Sequence, residues 1–423
     1  MHVVQLNTSD VGAGAEQVVS DLDAALAGVD VSSSMVVGRR ASGVTGATEI
    51  RYYLPLERRL SAIAENLLSL QGVLYPSTLL LQHQAPFRHC DVVHLHNAHG
   101  EYLNTSALAS LSRRIPLVWT LHDQWALTGK CVYSHGCDAW QRTCGNCPIL
   151  STPPVLRRDR TALLMRYKRA VYRRADLCVV CPSRWLADMA RRSHLGHFRI
   201  EHIPNGIDTA LFRPRRAADA RARAGSSTRR PRAIFVSSDL HSEYKGFSDL
   251  QSALPEIGSS IHLSTIGSNR GASVFASDED GHELGFIASR EDLARELAAA
   301  DFSVMPSTAE NHSLSALEAM ACSTPVIAYR SGGLPEQIVD GETGILVPPS
   351  DRRALVEAIR FMADNPDACA TMGRAAAERV ADGFTRKKMA ERYRSVYERE
   401  IERRRARNRA GSGPPAVPAA DQP

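Results

Sequence analysis

Apolar positions along this chain follow two alternating patterns. Short, nearly unbroken runs of branched and aromatic residues read as buried strands, and the stretches between them repeat apolar residues at helical spacing. His2 to Leu6 is the first strand, and a turn holding Gly12 and Gly14 leads from it into a helix carrying Val18, Val19, Leu22, Ala25 and Leu26. Met35 to Val37, Asp91 to Asn97, Pro116 to Asp123 and Asp176 to Ser183 are further strands. The second half repeats the theme with strands at Ala233 to Val236, Ile261 to Gly267, Gly285 to Ile287, Phe302 to Pro306 and Pro325 to Tyr329, and helices over Leu293–Ala300 and Arg353–Met362. Alternation of this kind predicts an α/β fold with parallel sheets.

Two stretches are amphipathic. Residues 56–81 interleave Arg58 and Arg59 with Leu60, Ile63, Leu67, Leu68, Leu70, Val73 and Leu74, which predicts a helix packed on the sheet by its apolar side; an acceptor or lipid surface is the alternative. Arg157 to Asp176 mixes arginines with Leu163, Leu164, Tyr167, Val171 and Tyr172. A solvated basic face is the plain reading, and contact with anionic lipid or a lipid diphosphate the other.

With 423 residues the chain exceeds one ordinary domain. Ile203-Pro204-Asn205-Gly206-Ile207-Asp208 has the turn chemistry of a linker. The expected organisation is therefore a domain over 1–203, with a cysteine-rich insertion at 125–150, and a second domain over 204–385. A helix over 386–404 comes next, and then a tail, 405–423, disordered by composition. The basic stretch from Arg213 to Arg232 reads as an exposed loop.

A net charge of +5 is too mild to suggest nucleic-acid binding. No apolar run reaches the roughly 18 residues of a membrane span, and a strand at the very start leaves no room for a signal peptide. The expectation is a cytoplasmic protein whose nine cysteines are thiols or metal ligands. Cys131, Cys137, Cys144 and Cys147, the last two as C-x-x-C, could make a structural tetrahedral zinc site; four unligated thiols are the alternative. Cys178 and Cys181 read as core residues of one strand.

The densest chemistry runs from Ser307 to Val347. Glu310 precedes a helix predicted to start at Ser313, and Glu318 falls in its second turn. Backbone donors at such a helix start, Leu314 included, favour an anion. A phosphate there, with a carboxylate on either side to hold hydroxyls, matches the shape of a nucleotide sugar. The turn at Gly12 and Gly14 is a second phosphate-facing corner, although Gln17 stands where a dinucleotide fingerprint has its third glycine and no acid ends the next strand. His96 with Asn97, and His122 with Asp123, close two adjacent strands at the end where open α/β sheets bind ligands.

Glu310-x7-Glu318 followed by Ala319-Met320-Ala321-Cys322-Ser323-Thr324-Pro325-Val326, together with Gly332-Gly333-x-Pro335-Glu336 and Asp340-Gly341-x-Thr343-Gly344, resembles the signature of retaining GT-B glycosyltransferases of family 4. The family usually has Phe-Gly at His312-Ser313 and Gly at Ser323. Cys144-Gly145-Asn146-Cys147-Pro148 resembles an insertion in members acting on bacterial polysaccharides of the colanic-acid type. The resemblance implies two Rossmann-like doubly wound domains facing across a cleft. It also implies roles: Glu310 on the donor sugar, Glu318 on the ribose, Lys245 on the diphosphate, His122 on the sugar, and Gly14-Ala15-Glu16 near the diphosphate. Ser313 and Leu314 would supply the anion-binding helix start. His96, Asn97 and Asp123 would lie on the acceptor side. An arginine usual about six residues before that lysine is missing here, with Asp239 in its place; Arg270 and Arg330 are candidate substitutes.

By this resemblance the chain would be a hexosyltransferase-type enzyme. It would move a sugar with retention from a UDP- or GDP-sugar to a hydroxyl of a saccharide or lipid-linked acceptor, in cell-envelope polysaccharide or glycolipid synthesis. No cofactor would be required for catalysis, no nucleic acid bound, and peripheral contact with an anionic membrane would be compatible with a cytoplasmic location. The rival readings are a GT-B epimerase or phosphorylase, the latter needing a pyridoxal lysine, and a non-catalytic zinc-stabilised scaffold.

Overall fold

The computed structural model describes residues 1–410 apart from 13, 42–45, 216–229, 270, 272, 274 and 276–280. Two parallel sheets organise it. The first runs in the order β3-β2-β1-β4-β5-β6-β7, from β1 (His2–Ser9), β2 (Ser32–Arg39), β3 (Thr48–Glu49), β4 (Val92–Leu95), β5 (Leu117–Thr120), β6 (Cys178–Cys181) and β7 (Arg199–His202). The second runs β10-β9-β8-β11-β12-β13, from β8 (Arg232–Asp239), β9 (His262–Ser268), β10 (Gly281–Glu283), β11 (Phe302–Met305), β12 (Val326–Tyr329) and β13 (Gly344–Val347). Every pairing within them is parallel. Strands β4, β5, β6, β11 and β12 are buried along their whole length, as parallel strands covered on both faces must be.

The chain divides into Met1–Ile203 with Met389–Pro423, and Pro204–Lys388. Gly206 sits where the second domain's ends meet: a Cβ there would lie 2.3 Å from the Thr385 carbonyl, and Ile207 N donates to Phe384 O at 2.9 Å. The helix Arg386–Arg409 continues from there. From Met389 onward it belongs to the first domain, where Tyr393 and Thr120 hydroxyls bond at 2.8 Å, Tyr397 bonds His94 Nδ1 at 2.7 Å, and Glu400 receives Arg199. The helix extends past Arg405, where a tail was expected; 411–423 lie outside the described residues.

Boundaries differ from the sequence reading in instructive places. Gly285–Ile287 is not a strand; the edge strand is Gly281–Glu283. Arg232 is no loop residue: it is buried in β8, with Nε on Ser264 Oγ at 2.9 Å and its guanidinium on Glu296. Residues 216–229 of the basic loop are outside the described residues.

The largest difference lies at residues 56–81. A helix forms over Glu57–Leu68 but faces the other way round. Its buried residues are Glu57, Ser61 and Glu65, while Leu56, Leu60, Ile63 and Leu67 are 63%, 59%, 56% and 52% exposed. Hydrogen bonds fix this orientation. Ser77 N donates to Glu57 Oε1 at 2.9 Å, Val73 N to Glu65 Oε1 at 3.2 Å and Tyr75 OH to Glu65 Oε2 at 3.4 Å. Turned the other way, the helix would leave the Ser77 and Val73 N–H groups without these acceptors. Spacing announced two faces and could not say which one turns inward.

Ser323 stands where the resembled family has glycine, and its φ is 62°. That left-handed backbone disfavours a side chain. Ser323→Gly is expected to raise unfolding free energy by about 0.5–1 kcal/mol, read from thermal or urea unfolding; an unchanged or lower stability would remove backbone strain as the reason for glycine there.

Candidate functional site

The C-terminal domain builds one constellation around the helix Leu314–Ala321. Ser313 caps it, its Oγ accepting from Ala316 N at 3.4 Å. A reciprocal pair locks the cap: Ser313 N donates to Gln337 Oε1 and Gln337 Nε2 to Ser313 O, each at 2.8 Å. Just beyond the cap, Leu314 is a first-turn residue, where N–H groups have no intrahelical acceptor.

Glu310 lies in the loop before this helix. The Gly332–Gly333 turn clamps its backbone: Gly333 N donates to Glu310 O at 2.9 Å, and a Cβ on Gly332, whose φ is +54°, would fall 1.8 Å from that oxygen. Gly332→Ala is expected to cost about 2–4 kcal/mol and to displace Glu310, measured by thermal unfolding and by loss of turnover. Full retention of stability would show that the turn relaxes freely.

Lys245 comes from a different loop and meets Glu310, Nζ to Oε1, at 2.5 Å. Gly246, φ +74°, makes the approach, since a Cβ there would strike the Pro306 carbonyl at 1.8 Å. Thr308 N donates to Tyr244 O at 2.9 Å and stitches the two loops together. Burial alone would push the Lys245 ammonium down; the Glu310 carboxylate outweighs it and the net shift is upward, so the cation persists.

Glu318, in the second turn, pairs with Arg290 at 3.2 Å, and the Arg290 guanidinium lies 4.9 Å over the Phe212 ring. Arg290 was not singled out from sequence. The only local signal was a capped helix start at Ser289, and nothing local aims it at Glu318. Of the substitutes for the missing arginine, Arg330 pairs with Asp340 at 2.5 Å in a half-exposed position, and Arg270 is outside the described residues.

In the N-terminal domain His96 directly follows β4, His122 comes two residues after the end of β5, and the two meet, Nδ1 to Nε2, at 3.0 Å. Gln5 Oε1 lies 2.7 Å from His96 Nε2. The Gln5 amide and the His122 ring thus hold the two ring nitrogens of His96 between them. Burial pushes His122 down to about 4 and His96 well below the usual range, so both are neutral. His96 is buried, and His122 is partly exposed.

Asp123 Oδ2 pairs with His99 Nε2 at 2.7 Å, and its Oδ1 accepts from Trp125 N. Asn97 donates its backbone N–H to Asn7 Oδ1 at 3.3 Å. His99, missed in the sequence, helps line a cavity of about 550 Å³ with Thr8, Arg39, Arg58, Glu101 and Tyr102. Gly14 is open: a Cβ there meets nothing within 4 Å, whereas one on Gly12 would meet the Glu16 carboxylate at 2.5 Å. Burial raises the Glu16 carboxyl, with His99 opposing.

Cys131, Cys137, Cys144 and Cys147 are all unpaired thiols of the insertion. Among the described residues no three His, Cys, Asp or Glu side chains gather as metal ligands would. Cys144 Sγ accepts from Gly129 N at 3.3 Å, and burial pushes the Cys131 thiol up to about 12. The insertion is held by Lys130 and Lys168. Lys130 Nζ donates to Leu150, Thr152 and Pro154 carbonyls, and Lys168 Nζ to Trp125 O at 2.6 Å and Thr128 O at 3.0 Å.

This two-sheet architecture is that of the GT-B class, and comparison with known proteins agrees. A family model described as Glycosyltransferase Family 4 matches residues 12–211, and one described as Glycosyl transferases group 1 matches residues 230–365. Between them they span most of the chain, which belongs to this glycosyltransferase family. It is 31% identical over 257 residues to the putative colanic acid biosynthesis glycosyl transferase WcaC of Escherichia coli, covering 58% of this chain and 61% of that one. It is 42% identical over 118 residues to a D-inositol 3-phosphate glycosyltransferase of Corynebacterium diphtheriae, covering 27% of each. The chain thus spans less than two thirds of these relatives. Among solved structures, sucrose-phosphate synthase from Thermosynechococcus elongatus superposes with a TM-score of 0.70 at 24% identity, over 95% of this chain and all of that one. Anabaena HepE with UDP-glucose gives 0.66 at 18%, over 94% and 99%.

Proposed function

We propose that this chain is a retaining glycosyltransferase that moves a sugar from a nucleotide-sugar donor to an acceptor hydroxyl in cell-envelope polysaccharide or glycolipid synthesis. The observation that carries this reading is the Lys245–Glu310 pair, brought to the start of the Ser313-capped helix that also bears Glu318. Breaking the bond between the anomeric carbon and the diphosphate places growing negative charge on the leaving oxygen. The Lys245 ammonium and the Leu314 amide are the donors that stabilise it. Glu310 accepts hydroxyls of the donor sugar and Glu318, oriented by Arg290, those of the ribose. The acceptor oxygen attacks the face the diphosphate leaves, and its proton passes to the departing phosphate oxygen.

His122 is proposed to bond a hydroxyl of the donor sugar. His99 and Asp123, beside the N-terminal cavity, are proposed for the acceptor side, with Asn97. The donor is a UDP- or GDP-sugar. A thermal-shift comparison of UDP, GDP and their sugars tests the reading, followed by proton NMR of the product's anomeric centre. At least one nucleoside diphosphate is expected to raise the melting temperature and the product to retain the donor configuration. No shift with any of them, and no donor hydrolysis, would sink the proposal; inversion would sink its retaining part.

A further inference from the structure

Two consecutive peptide planes at the start of the helix Leu314–Ala321 are gripped edge by edge. In the plane joining His312 to Ser313, Asn205 Nδ2 donates to His312 O at 3.2 Å, and Ser313 N donates to Gln337 Oε1 at 2.8 Å. In the next plane Gln337 Nε2 donates to Ser313 O at 2.8 Å. Three of the four polar edges are thereby held, and the fourth is the Leu314 N–H. A trans peptide is flat, with its N–H pointing away from its C=O, so fixing Ser313 O fixes the direction of that N–H. As a first-turn amide it has no acceptor within its own helix.

Gln337 is fully buried and ends the short helix Leu334–Gln337, whose N-cap is Gly333. Both polar atoms of its amide are spent on the backbone of one residue, 24 positions away in sequence. A leucine or methionine would fill the same space without a buried amide to satisfy. The other end of this short helix holds Glu310, through Gly333 N and Glu310 O at 2.9 Å. Gly333 to Gln337 is thus a strut, one end on Glu310 and the other on the peptide that carries the Leu314 N–H. Pro335, in its first turn, stiffens it through a fixed φ. The strut is anchored from behind. Arg379, on the helix Pro366–Gly383, donates from Nε to Gln337 O at 2.7 Å and from Nη2 to Glu336 O at 2.8 Å. A guanidinium at these carbonyls meets the negative end of a helix.

We propose that Gln337, anchored by Arg379, is a positioning residue for sugar transfer: it aims the Leu314 N–H at the departing phosphate and sets its spacing from Glu310. The proposal rests on the donor site argued above and adds to it a residue that acts through the Leu314 amide and not by contact with substrate. Donation by Gln337 to Ser313 O also polarises the peptide. The N–H on its far edge becomes a stronger donor where negative charge grows.

The test takes the full chain and measures UDP and GDP affinity by calorimetry, hydrolysis of the matching nucleotide sugars, and melting temperature. Gln337→Met keeps the length and the packing and removes both bonds. It is expected to lose at least about 10-fold in nucleoside-diphosphate affinity and in donor turnover. Gln337→Glu supplies a readout that a packing role would not move. Protonated, its carboxyl donates to Ser313 O and accepts from Ser313 N as the amide does; ionised, it turns an acceptor toward a carbonyl. Its affinity is expected within about 3-fold of wild type at pH 6 and at least about 10-fold behind wild type at pH 8.5. If Gln337→Met does not fold, this pH comparison decides alone. Variants that keep wild-type affinity and turnover at both pH values, or that lose melting temperature only, would overturn the proposal. Wild type is measured alongside. If it binds neither nucleotide, the donor site falls and this proposal with it; if it binds and the variants match it, this proposal falls alone.

Discussion

Lys245→Ala is expected to lower sugar transfer by about 10²–10³-fold, the loss seen when one preorganised donor to a developing oxyanion is removed. The effect should be at the upper end because Asp239, not an arginine, stands in the same loop, which leaves Lys245 as that loop's cation for the diphosphate. The substitution also strips Glu310 of its partner at 2.5 Å. A mostly buried carboxylate left unpaired costs about 3–5 kcal/mol, so stability should fall too. Glu310→Gln separates the two effects. It removes the carboxylate charge and spares the ammonium, so the thermal shift caused by a nucleoside diphosphate should survive while transfer falls. Measuring that shift in both variants decides the matter: a full shift in Lys245→Ala would take Lys245 out of donor binding.

Acidification from pH 7 to pH 5 is expected to destabilise the N-terminal domain by several kcal/mol. Burial pushes His122 down to about 4 and His194 to about 3, and holds His94 and His96 well below the ordinary range. The unfolded chain takes up these protons near pH 6.5 and the folded one does not. Stability therefore falls as pH drops below 6.5, by about 1.4 kcal/mol per pH unit for each buried histidine, or about 2 kcal/mol each at pH 5. Glu65 acts in the opposite sense. Burial raises its carboxyl to about 7, so the folded state gains protons first and is favoured as pH falls from 7 toward 4.5. One such acid offsets about one histidine, and Glu16, also raised by burial, offsets part of another. All four tryptophans lie in this domain, so their fluorescence reports its unfolding. A melting temperature equal at pH 5 and pH 7 would contradict the buried-neutral histidines. Glu65→Gln should steepen the pH dependence.

Much of the candidate site around the Ser313-capped helix was legible because its parts are local. Ser313 as a cap, Glu310 before it and Glu318 in the second turn come from short-range geometry. The glycines at 332 and 333 mark a turn whose reason is equally local in form: a positive φ and a carbonyl in the way. Arg290 was illegible, because its value lies entirely in meeting Glu318 across the domain. His99 was missed for the same reason; it comes after a recognisable strand, but only the fold sets it against Asp123. The helix Pro366–Gly383 escaped the periodicity reading too. Its Gly373 looks like a breaker and is there because a Cβ would lie 2.2 Å from the Ser323 carbonyl.

By itself the sequence determined the α/β class, most of the strands, and a helix start flanked by two glutamates, because these depend on patterns a few residues long. Tertiary structure alone decided which way the helix Glu57–Leu68 faces, that His96 is sealed in beside His122, and that Lys245 and Glu310 share a bond. Periodicity fixes that a helix has two faces. Which face turns inward depends on whether residues distant in the chain offer partners to its carboxylates or only an apolar surface to its leucines.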